Sequence, residues 1–511
     1  MKRRALWWTF AVASCLLVIA GGAAWWFVAS EGALQWSLTR IQAMLGEKLV
    51  LEGARGSLWN GIAADRIVYE DEKIRVEVNG LEARAGMDEG LRGHLYFDVL
   101  RAEKVIVLMK PQLDEPLEMP EHLRLPIDLS IPRAELKELE IERDATRVRF
   151  HHIVLQYAAT SDLHGIESVQ AQSDYGALSF AGRIASTRPF DLSAQLRWLQ
   201  PQRSEGVFNA NGSLAQLGAT LQAQLAGAQF DAQAMLRPFE AQPLRNLNAA
   251  GKDIDLHAIN ADLPQSKLSF SIDANSENDL SGGFEANNAL PGPIDAGKIP
   301  VGRIAGQFET DFKIAKLSSL EIDLGAGGKL SGQARGDMRE GLVQLQSRGL
   351  NLQGLYSTMR DTALNGPIEL AYDLEGQSAK ANLSQGDMRF EATATRRGTR
   401  IDIARFEARA RGGSLNAQGY LDLDETRNFK ADLKLSRFDP SQFGTFPQGL
   451  VNGTGNIEGA LNPLRAQARW TIANSHLNAL PLFSNGRFRL IDEQLSDVAI
   501  NARWGDAQLQ A

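Results

Sequence analysis

Paired acidic side chains are the first residues of this sequence that could do chemistry. Asp253 and Asp255 are two residues apart, as are Asp422 and Asp424, so a strand would place each pair on one face. Two carboxylates on one face could bind a cation or divide the roles of acid and base. Since no third ligand or base lies near either pair in sequence, we interpret both as solvated strand carboxylates.

Histidines and a glycine-rich segment are the other candidates. His151 and His152 are adjacent in a strand-like pattern, which predicts opposite faces and no shared metal ion. Glycines at 325, 327 and 328 precede Lys329, but no serine or threonine follows the lysine as in a phosphate-binding loop, so we predict a strand turn. Nucleophile-elbow and zinc-protease motifs do not occur in the sequence. We therefore predict a protein that is not an enzyme and holds no cofactor or metal.

The N-terminal 30 residues have the pattern of a membrane anchor. Three basic residues at 2–4 precede an uncharged run from 5 to 30, long enough at about 37 Å to cross a bilayer. The basic residues predict a cytoplasmic N-terminus and export of residue 31 onward. The anchor residues that we predict are the four tryptophans of two interfacial belts and one cysteine between them: Trp7, Trp8, Cys15, Trp25 and Trp26.

Two alternatives remain open for this segment. A cleaved signal peptide has a shorter apolar region, followed by a small-x-small site rather than by tryptophans. The segment 12–15 resembles a lipoprotein box, but the apolar run continues beyond Cys15. Cys15 is the only cysteine, so the exported part forms no internal disulfide and no thiolate metal site.

Residues 31–48 are predicted to form an amphipathic capping helix. Leu34, Leu38, Ile41 and Leu45 follow helical spacing, and Gly46 is well placed to end the helix. The charge of −8, with acidic and basic residues interspersed and no basic stripe, argues against nucleic acid as a partner.

Residues 49–511 alternate between apolar and polar positions, which indicates strands with one buried face. Only 7% of the residues are aromatic, and two packed sheets would need bulky side chains to fill their core. We therefore predict an all-β protein with one long, curved, antiparallel sheet, a taco-like ribbon around a thinly filled apolar groove. The floor residues that we predict are Ile74, Val76, Val78, Val148, Phe150, Ile401 and Ile403.

A loose unit of apolar-x-small-x-Gly-x-apolar recurs along these strands. It occurs at 178–184, at 207–214 and most cleanly at 415–421, and in shortened form at 457–461. The spacing is irregular, so we interpret it as a meander of similar strands rather than a fixed-period repeat.

Several segments, in order along the chain, resemble the TamB family, the inner-membrane-anchored subunits of the translocation and assembly module, and AsmA-like relatives. Each segment alone is unspecific, whereas their order over almost the whole chain is informative. They are Leu51-Glu52-Gly53-Ala54-Arg55-Gly56-Ser57-Leu58-Trp59-Asn60-Gly61, Ala64-Asp65-Arg66-Ile67-Val68-Tyr69, Leu123-Arg124-Leu125-Pro126-Ile127, Pro238-Phe239, Pro243-Leu244, Asp253-Ile254-Asp255-Leu256, Leu263-Pro264, Pro291-Gly292-Pro293-Ile294-Asp295, Ile299-Pro300, Thr362-Ala363-Leu364-Asn365-Gly366 and Phe438-Asp439-Pro440.

The resemblance implies a periplasmic β-groove that reaches from the inner membrane of a Gram-negative bacterium toward its outer membrane. It also implies a partner, an outer-membrane barrel of the TamA type. Family members are longer, and the C-terminal domain that meets the barrel has no counterpart here, so we expect barrel contact to involve a region outside these residues.

Two functions remain open at this point. In the first, the groove conducts phospholipid, with acyl chains on its apolar floor and head groups in water. In the second, exposed sheet edges hold the strands of outer-membrane proteins during their assembly or secretion.

Overall fold

The structure is a computed structural model. It describes residues 31, 35 and 39 and the ranges 46–57, 60–86, 94–110, 119–125, 127–143, 146–201, 203–240, 242–277, 279–491 and 494–511.

The predicted anchor and most of the predicted capping helix lie outside the described residues. Glu31, Gln35 and Thr39 are helical and exposed, at a spacing of four that places them on one helix face. Gln35 Nε2 donates to the carbonyl of Ala54 at 2.9 Å. Gly46 has a left-handed φ of 61°, the conformation that glycine provides at helix ends. Among the described residues, no helix is long and apolar enough to cross a membrane.

The chain divides into two compact units, residues 1–245 and 246–511. The described part of unit 1 contains a short 3₁₀ helix, η1, and thirteen strands, β1 to β13. Their bounds are η1 Gly46–Lys48, β1 Leu49–Glu52, β2 Arg55–Ser57, β3 Gly61–Glu70, β4 Ile74–Gly86, β5 His94–Met109, β6 Asp128–Arg143, β7 Thr146–Ala159, β8 Leu163–Ser173, β9 Gly176–Ala185, β10 Asp191–Gln200, β11 Ser204–Ser213, β12 Leu217–Leu225 and β13 Ala228–Leu236.

Strands β3 to β13 pair in chain order, and β1 and β2 both pair with β3. The pairs are antiparallel except for β5 and β6, which are parallel over their whole length, from His94 opposite Asp128 to Met109 opposite Arg143. The prediction of a purely antiparallel sheet is wrong at this pair. A parallel pair requires the chain to return to the starting edge, and residues 110–127 are long enough to do so.

Unit 2 contains β14 to β31 with short helical turns between some of them. The bounds are β14 Leu244–Ile254, α1 Leu256–Ile259, β15 Leu268–Ser276, β16 Leu280–Asn288, η2 Ile294–Ala296, β17 Arg303–Thr310, β18 Ala315–Asp323, η3 Gly325–Gly327, β19 Lys329–Gly336, β20 Gly341–Leu350, α2 Leu352–Leu355, β21 Leu364–Tyr372, β22 Gln377–Gln385, β23 Met388–Arg397, β24 Arg400–Ala410, β25 Gly413–Asp422, β26 Asn428–Phe438, η4 Pro440–Gln442, β27 Gly449–Leu461, β28 Leu464–Leu477, β29 Leu480–Ile491, β30 Gln494–Trp504 and β31 Ala507–Gln510.

Each strand of unit 2 pairs antiparallel with the next, so its connections alternate between two edges of the sheet. Connections after odd-numbered strands are tight turns, and we call that side the hairpin edge. Asp311, Asp337 and Asp373 each accept hydrogen bonds there from the backbone N–H groups two and three residues later. Connections after even-numbered strands include all the helical turns, and we call that side the loop edge.

The loop edge of unit 2 carries a structural repeat that the sequence did not reveal. Asp255, Asn351 and Asp439 each cap a helical turn by accepting from the N–H two residues later, at 3.0–3.2 Å. In each case the residue two positions earlier has a left-handed φ, of 54°, 65° and 48° respectively. The caps are six strands apart, so the period is about 90 residues. Asp255 is therefore a helix cap, and its interpretation as a strand carboxylate is wrong.

The described residues contain few completely buried large side chains. Phe190 and Leu364 are the largest hydrophobic ones, and many of the other buried apolar residues are alanines. The all-β prediction is confirmed for the described part of the chain. Two packed sheets bury their inner apolar faces completely. The small number of buried large side chains therefore indicates that these strands expose part of their apolar face.

Candidate functional site

The predicted floor residues of unit 1 lie in two adjacent rows that cross five strands. Val76 and Val148 belong to one row, and Val78 and Phe150 to the next; Ile74 lies at the margin, opposite the exposed Met109. The rows are Tyr69-Val76-Val107-Ile141-Val148 and Ile67-Val78-Val105-Leu139-Phe150. All ten side chains are half-buried. The residues that were predicted from alternation in sequence, Val76, Val78, Val148 and Phe150, are thus neighbours on one face, although β4 and β7 are far apart along the chain.

The opposite face of these strands is a network of ion pairs. Arg66 donates to both carboxylate oxygens of Glu77, each at 3.0 Å. Glu140 is only 5% exposed and binds Lys104 Nζ and Arg147 Nε, each at 2.8 Å. The hydrogen bond from Lys104 holds the pKa of the Glu140 carboxyl below its ordinary value, and burial opposes that shift. The charges of this face therefore compensate one another, including at the buried carboxylate of Glu140.

A longer apolar row crosses unit 1 from β3 to β13 without a polar member. Its consecutive residues are direct cross-strand partners, which puts them on one line across the sheet. The row is Ile62, Ala83, Leu100, Ala134, Leu155, Val169, Phe180, Leu196, Phe208, Leu221 and Ala232.

Unit 2 has a still longer uninterrupted row, which we call the long row. It takes one residue from each of the sixteen strands β14 to β29, and every member is apolar or glycine. The members are Leu247, Ala274, Gly282, Phe308, Leu317, Ala334, Val343, Leu370, Ala379, Ala394, Ile403, Gly419, Ala431, Ile457, Ala468 and Phe488. At about 4.8 Å between strands, the row measures about 70 Å along the sheet.

Of the predicted floor residues, Ile403 belongs to the long row and Ile401 to the next row toward the hairpin edge, with Leu421 and Phe429. The structure therefore brings these two together, whereas the other five lie in unit 1. Sequence reasoning missed most row members because they are alanine, glycine or single leucines. The signal was present in the apolar-x-small-x-Gly-x-apolar unit: Leu415, Ala417, Gly419 and Leu421 lie in four consecutive apolar rows.

Exposure of the apolar face in unit 2 rises from the loop edge to the hairpin edge. Along β21, Leu364 is 0% exposed, Ile368 is half-buried and Leu370 is 41% exposed. Along β24, Ala408 is 2% exposed and Ile403 is 40% exposed. The side of the face near the loop edge is therefore covered, and the long row is open to water at Leu370 and Ile403.

Connections at the loop edge, which hydrogen-bond to one another, cover this side of the apolar face. We call residues 291–301, 324–328, 351–363 and 439–448 together the edge cover. Its segments are joined by backbone N–H donors: Ser357 to Asp295 Oδ1 (3.0 Å), Asn351 to the Gly327 carbonyl (2.9 Å) and Arg360 to the Phe443 carbonyl (2.9 Å).

Leucines and one phenylalanine of the edge cover pack on the sheet. Leu352 and Leu355 of α2 contact a buried cluster that contains Leu364. Phe443 packs edge-on against Phe390 of β23, with ring centroids 5.7 Å apart, and belongs to a second cluster with Ala408.

Two cavities formed by described residues lie on the polar face of their strands. One of about 870 Å³ is lined by side chains such as Asn456, Arg469, Thr471 and Arg487 of β27 to β29. Arg469 and Arg487 are direct cross-strand partners. Another, of about 630 Å³, lies over β8 to β11 and is lined by Arg183, Gln195 and neighbouring polar residues. The long row, by contrast, is a surface that is open to water at Leu370 and Ile403.

The candidates for chemistry have structural roles. Asp253 binds Lys267 at 3.3 Å, and Asp424 caps the turn after β25 by accepting from the N–H of Thr426. Strict alternation fails at the histidine pair, because His152 has a φ of 52° in a bulge of β7. The predicted turn before Lys329 is confirmed as η3.

Two further sequence predictions concern metal sites and the membrane anchor. Within the described ranges, no three His, Cys, Asp or Glu residues come close enough to hold a metal ion. The predicted anchor residues Trp7, Trp8, Cys15, Trp25 and Trp26 lie outside the described residues.

Comparison of the chain with models of protein families, with curated proteins and with solved structures gave no match.

Proposed function

We propose that the apolar rows of this protein carry the acyl chains of phospholipids while the head groups stay in water. The single observation that carries this proposal is the long row, sixteen strands without one polar member and open to water at Leu370 and Ile403. A monomeric soluble protein rarely exposes so extended an apolar surface unless the surface binds something.

Acyl chains fit this surface energetically. Each methylene group removed from water contributes about 0.8 kcal/mol, so a sixteen-carbon chain gains on the order of 10 kcal/mol on full burial. A half-open row provides part of that gain. Because each strand offers an apolar residue of the same row, a chain that moves by one strand exchanges one apolar contact for another. Sliding along the row therefore meets no polar barrier.

Lengths also support the proposal. One leaflet of a bilayer core is about 15 Å thick, so an acyl chain spans about three strands of the sheet. Leu370 on β21 and Ile403 on β24, which are large and exposed, are three strands apart. A row of about 70 Å could hold several chains in sequence.

In full, we propose an inner-membrane-anchored periplasmic bridge that supports phospholipid transport to, and the integrity of, the outer membrane. The sheet would curl around its apolar side into a groove, and residues 1–30 would hold the chain in the inner membrane. The resemblance to the TamB family adds an outer-membrane barrel of the TamA type as the partner.

The test is photo-crosslinking in cells that express the full chain. A photoreactive amino acid replaces Ile403 in the long row or, as a matched control, Thr393 on the polar face of the adjacent strand, where it lies opposite Lys380 and Arg405. Mass spectrometry should find phospholipid adducts at Ile403 several times more often than at Thr393. Equal adducts at the two positions, or none at either, would overturn the proposal.

A charge in the row provides a functional readout. Ile403→Asp should make the outer membrane more permeable, because an isolated carboxylate in an apolar track must be desolvated or stay wet. Thr393→Asp places the same charge between two cations and should be tolerated. A protein that holds client strands by its backbone edges would be indifferent to both changes while its strand content, read by circular dichroism, is intact. That result would favour outer-membrane protein assembly instead.

A further inference from the structure

The hairpin edge of β23 and β24 carries a group of arginines beside the open rows. Arg396, Arg397 and Arg400 surround one turn, and all three are exposed. Arg400 is occupied, since its Nε donates to Asp402 at 3.2 Å and its guanidinium lies 3.6 Å from the Tyr420 ring centroid.

Arg396 and Arg397 differ from Arg400 in having no carboxylate partner among the residues that the structure describes. Arg396 Nε donates to the Gly398 carbonyl at 3.1 Å, a bond that holds the side chain at the turn but leaves its charge uncompensated. In unit 1, by contrast, the cations that face Glu77 and Glu140 are matched by carboxylates.

The position of Arg396 links this charge to the apolar face. Arg396 follows Phe390, Ala392 and Ala394 at alternate positions of β23 and is the direct cross-strand partner of Ile401. It therefore ends an apolar line of side chains at the hairpin edge, whereas the edge cover closes the loop edge of the same two strands through Phe443.

We propose that this turn is a head-group site, at which Arg396 binds the phosphodiester of a phospholipid whose acyl chain lies on the rows of Ile401 and Ile403, whereas Arg397 lies on the opposite face of β23. The assignment rests on the proposed function and adds the ligand's orientation, with the head group at the hairpin edge and lateral entry from that side. Guanidinium groups suit the phosphodiester because they donate to two of its oxygens in one plane.

The experiment uses the purified full chain with the photoreactive residue at Ile403, mixed with micelles of a sugar detergent that carry either phosphatidylglycerol or diacylglycerol. The variant Arg396→Gln should lower phosphatidylglycerol adducts roughly three- to fivefold, because one exposed ionic contact is worth up to about fivefold. Diacylglycerol has no phosphate, so its adducts should be unchanged. Arg396→Lys should restore part of the loss.

The matched control is Arg389→Gln, which removes one arginine from the loop-edge end of the same strand. It should leave adducts of both lipids unchanged. Equal losses in the two variants, or a loss of diacylglycerol adducts with Arg396→Gln, would overturn the head-group site and leave lipid binding by the row intact. Absence of adducts from the parent chain would instead refute the proposed function.

Discussion

Truncation of two leucines on one strand tests whether the apolar face is covered at one edge and open at the other. Leu364 and Leu370 both lie on β21 and on the same face, but they are 0% and 41% exposed. Replacing leucine by alanine removes the equivalent of about three methylene groups, or about 2.4 kcal/mol on complete burial.

The magnitudes follow from the two environments. At Leu364 the change also leaves a cavity beneath α2, which raises the expected loss of stability to roughly 3–5 kcal/mol. At Leu370 about three fifths of the side chain is buried and no closed cavity forms, so the expected loss is about 1.4 kcal/mol. The two variants should therefore differ by at least about 1.5 kcal/mol, or tenfold in an equilibrium constant.

Hydrogen exchange of the full chain, followed by mass spectrometry on peptides from β20 to β22, measures this difference. Leu364→Ala should accelerate exchange of these amides at least tenfold more than Leu370→Ala, because exchange reports the local free energy of opening. Equal acceleration, or a larger effect from Leu370→Ala, would refute the inference that the edge cover buries one side of the face.

Three further outcomes are expected. Arg303 lowers the pKa of Glu285 to about 2, so this ion pair should stabilise the fold fully above the ordinary glutamate pKa and lose its effect as the pH falls from about 4.5 to 2. Arg303→Gln should raise the pKa of Glu285 in an NMR titration, and an unchanged pKa would contradict the assignment. Thr362→Val removes a hydroxyl that accepts a hydrogen bond from the first N–H group of α2. The variant should lose about 1 kcal/mol of stability and exchange the amide hydrogens of α2 faster. Unaltered amide exchange would show that this hydrogen bond does not stabilise α2. Gly328→Ala should destabilise the chain far more than Gly386→Ala in thermal unfolding, since the new Cβ would clash with the Gly349 carbonyl oxygen, while that of Gly386 meets nothing within 4 Å. Similar melting points would disprove the close approach.

The strands and their polar and apolar faces could be predicted from sequence because alternation is a local property. Val76, Val78, Val148 and Phe150 were chosen by period two alone, and the structure puts them in neighbouring rows. Asp255 was misread for a local reason as well. An aspartate two residues after another fits a strand, and only the left-handed φ at Asp253 turns the second one into a helix cap.

Cross-strand order could not be read in the same way. The long row depends on the register of fifteen strand pairs, and a slip of one residue at any of them would move a polar residue into it. The parallel pairing of β5 and β6 is decided by the path of the chain between them, which alternation does not record.

The sequence by itself determined that the strands described between residues 49 and 511 have one apolar face, because the identity of every second side chain sets which face avoids water. Only the tertiary structure decided which part of that face is open. Ser357 binds Asp295, 62 residues away, and Arg360 binds the Phe443 carbonyl from a different connection, so the edge cover exists only once the sheet has brought these segments together. Exposure at Leu370 and Ile403 is thus a property of distant contacts, which no local pattern of side chains contains.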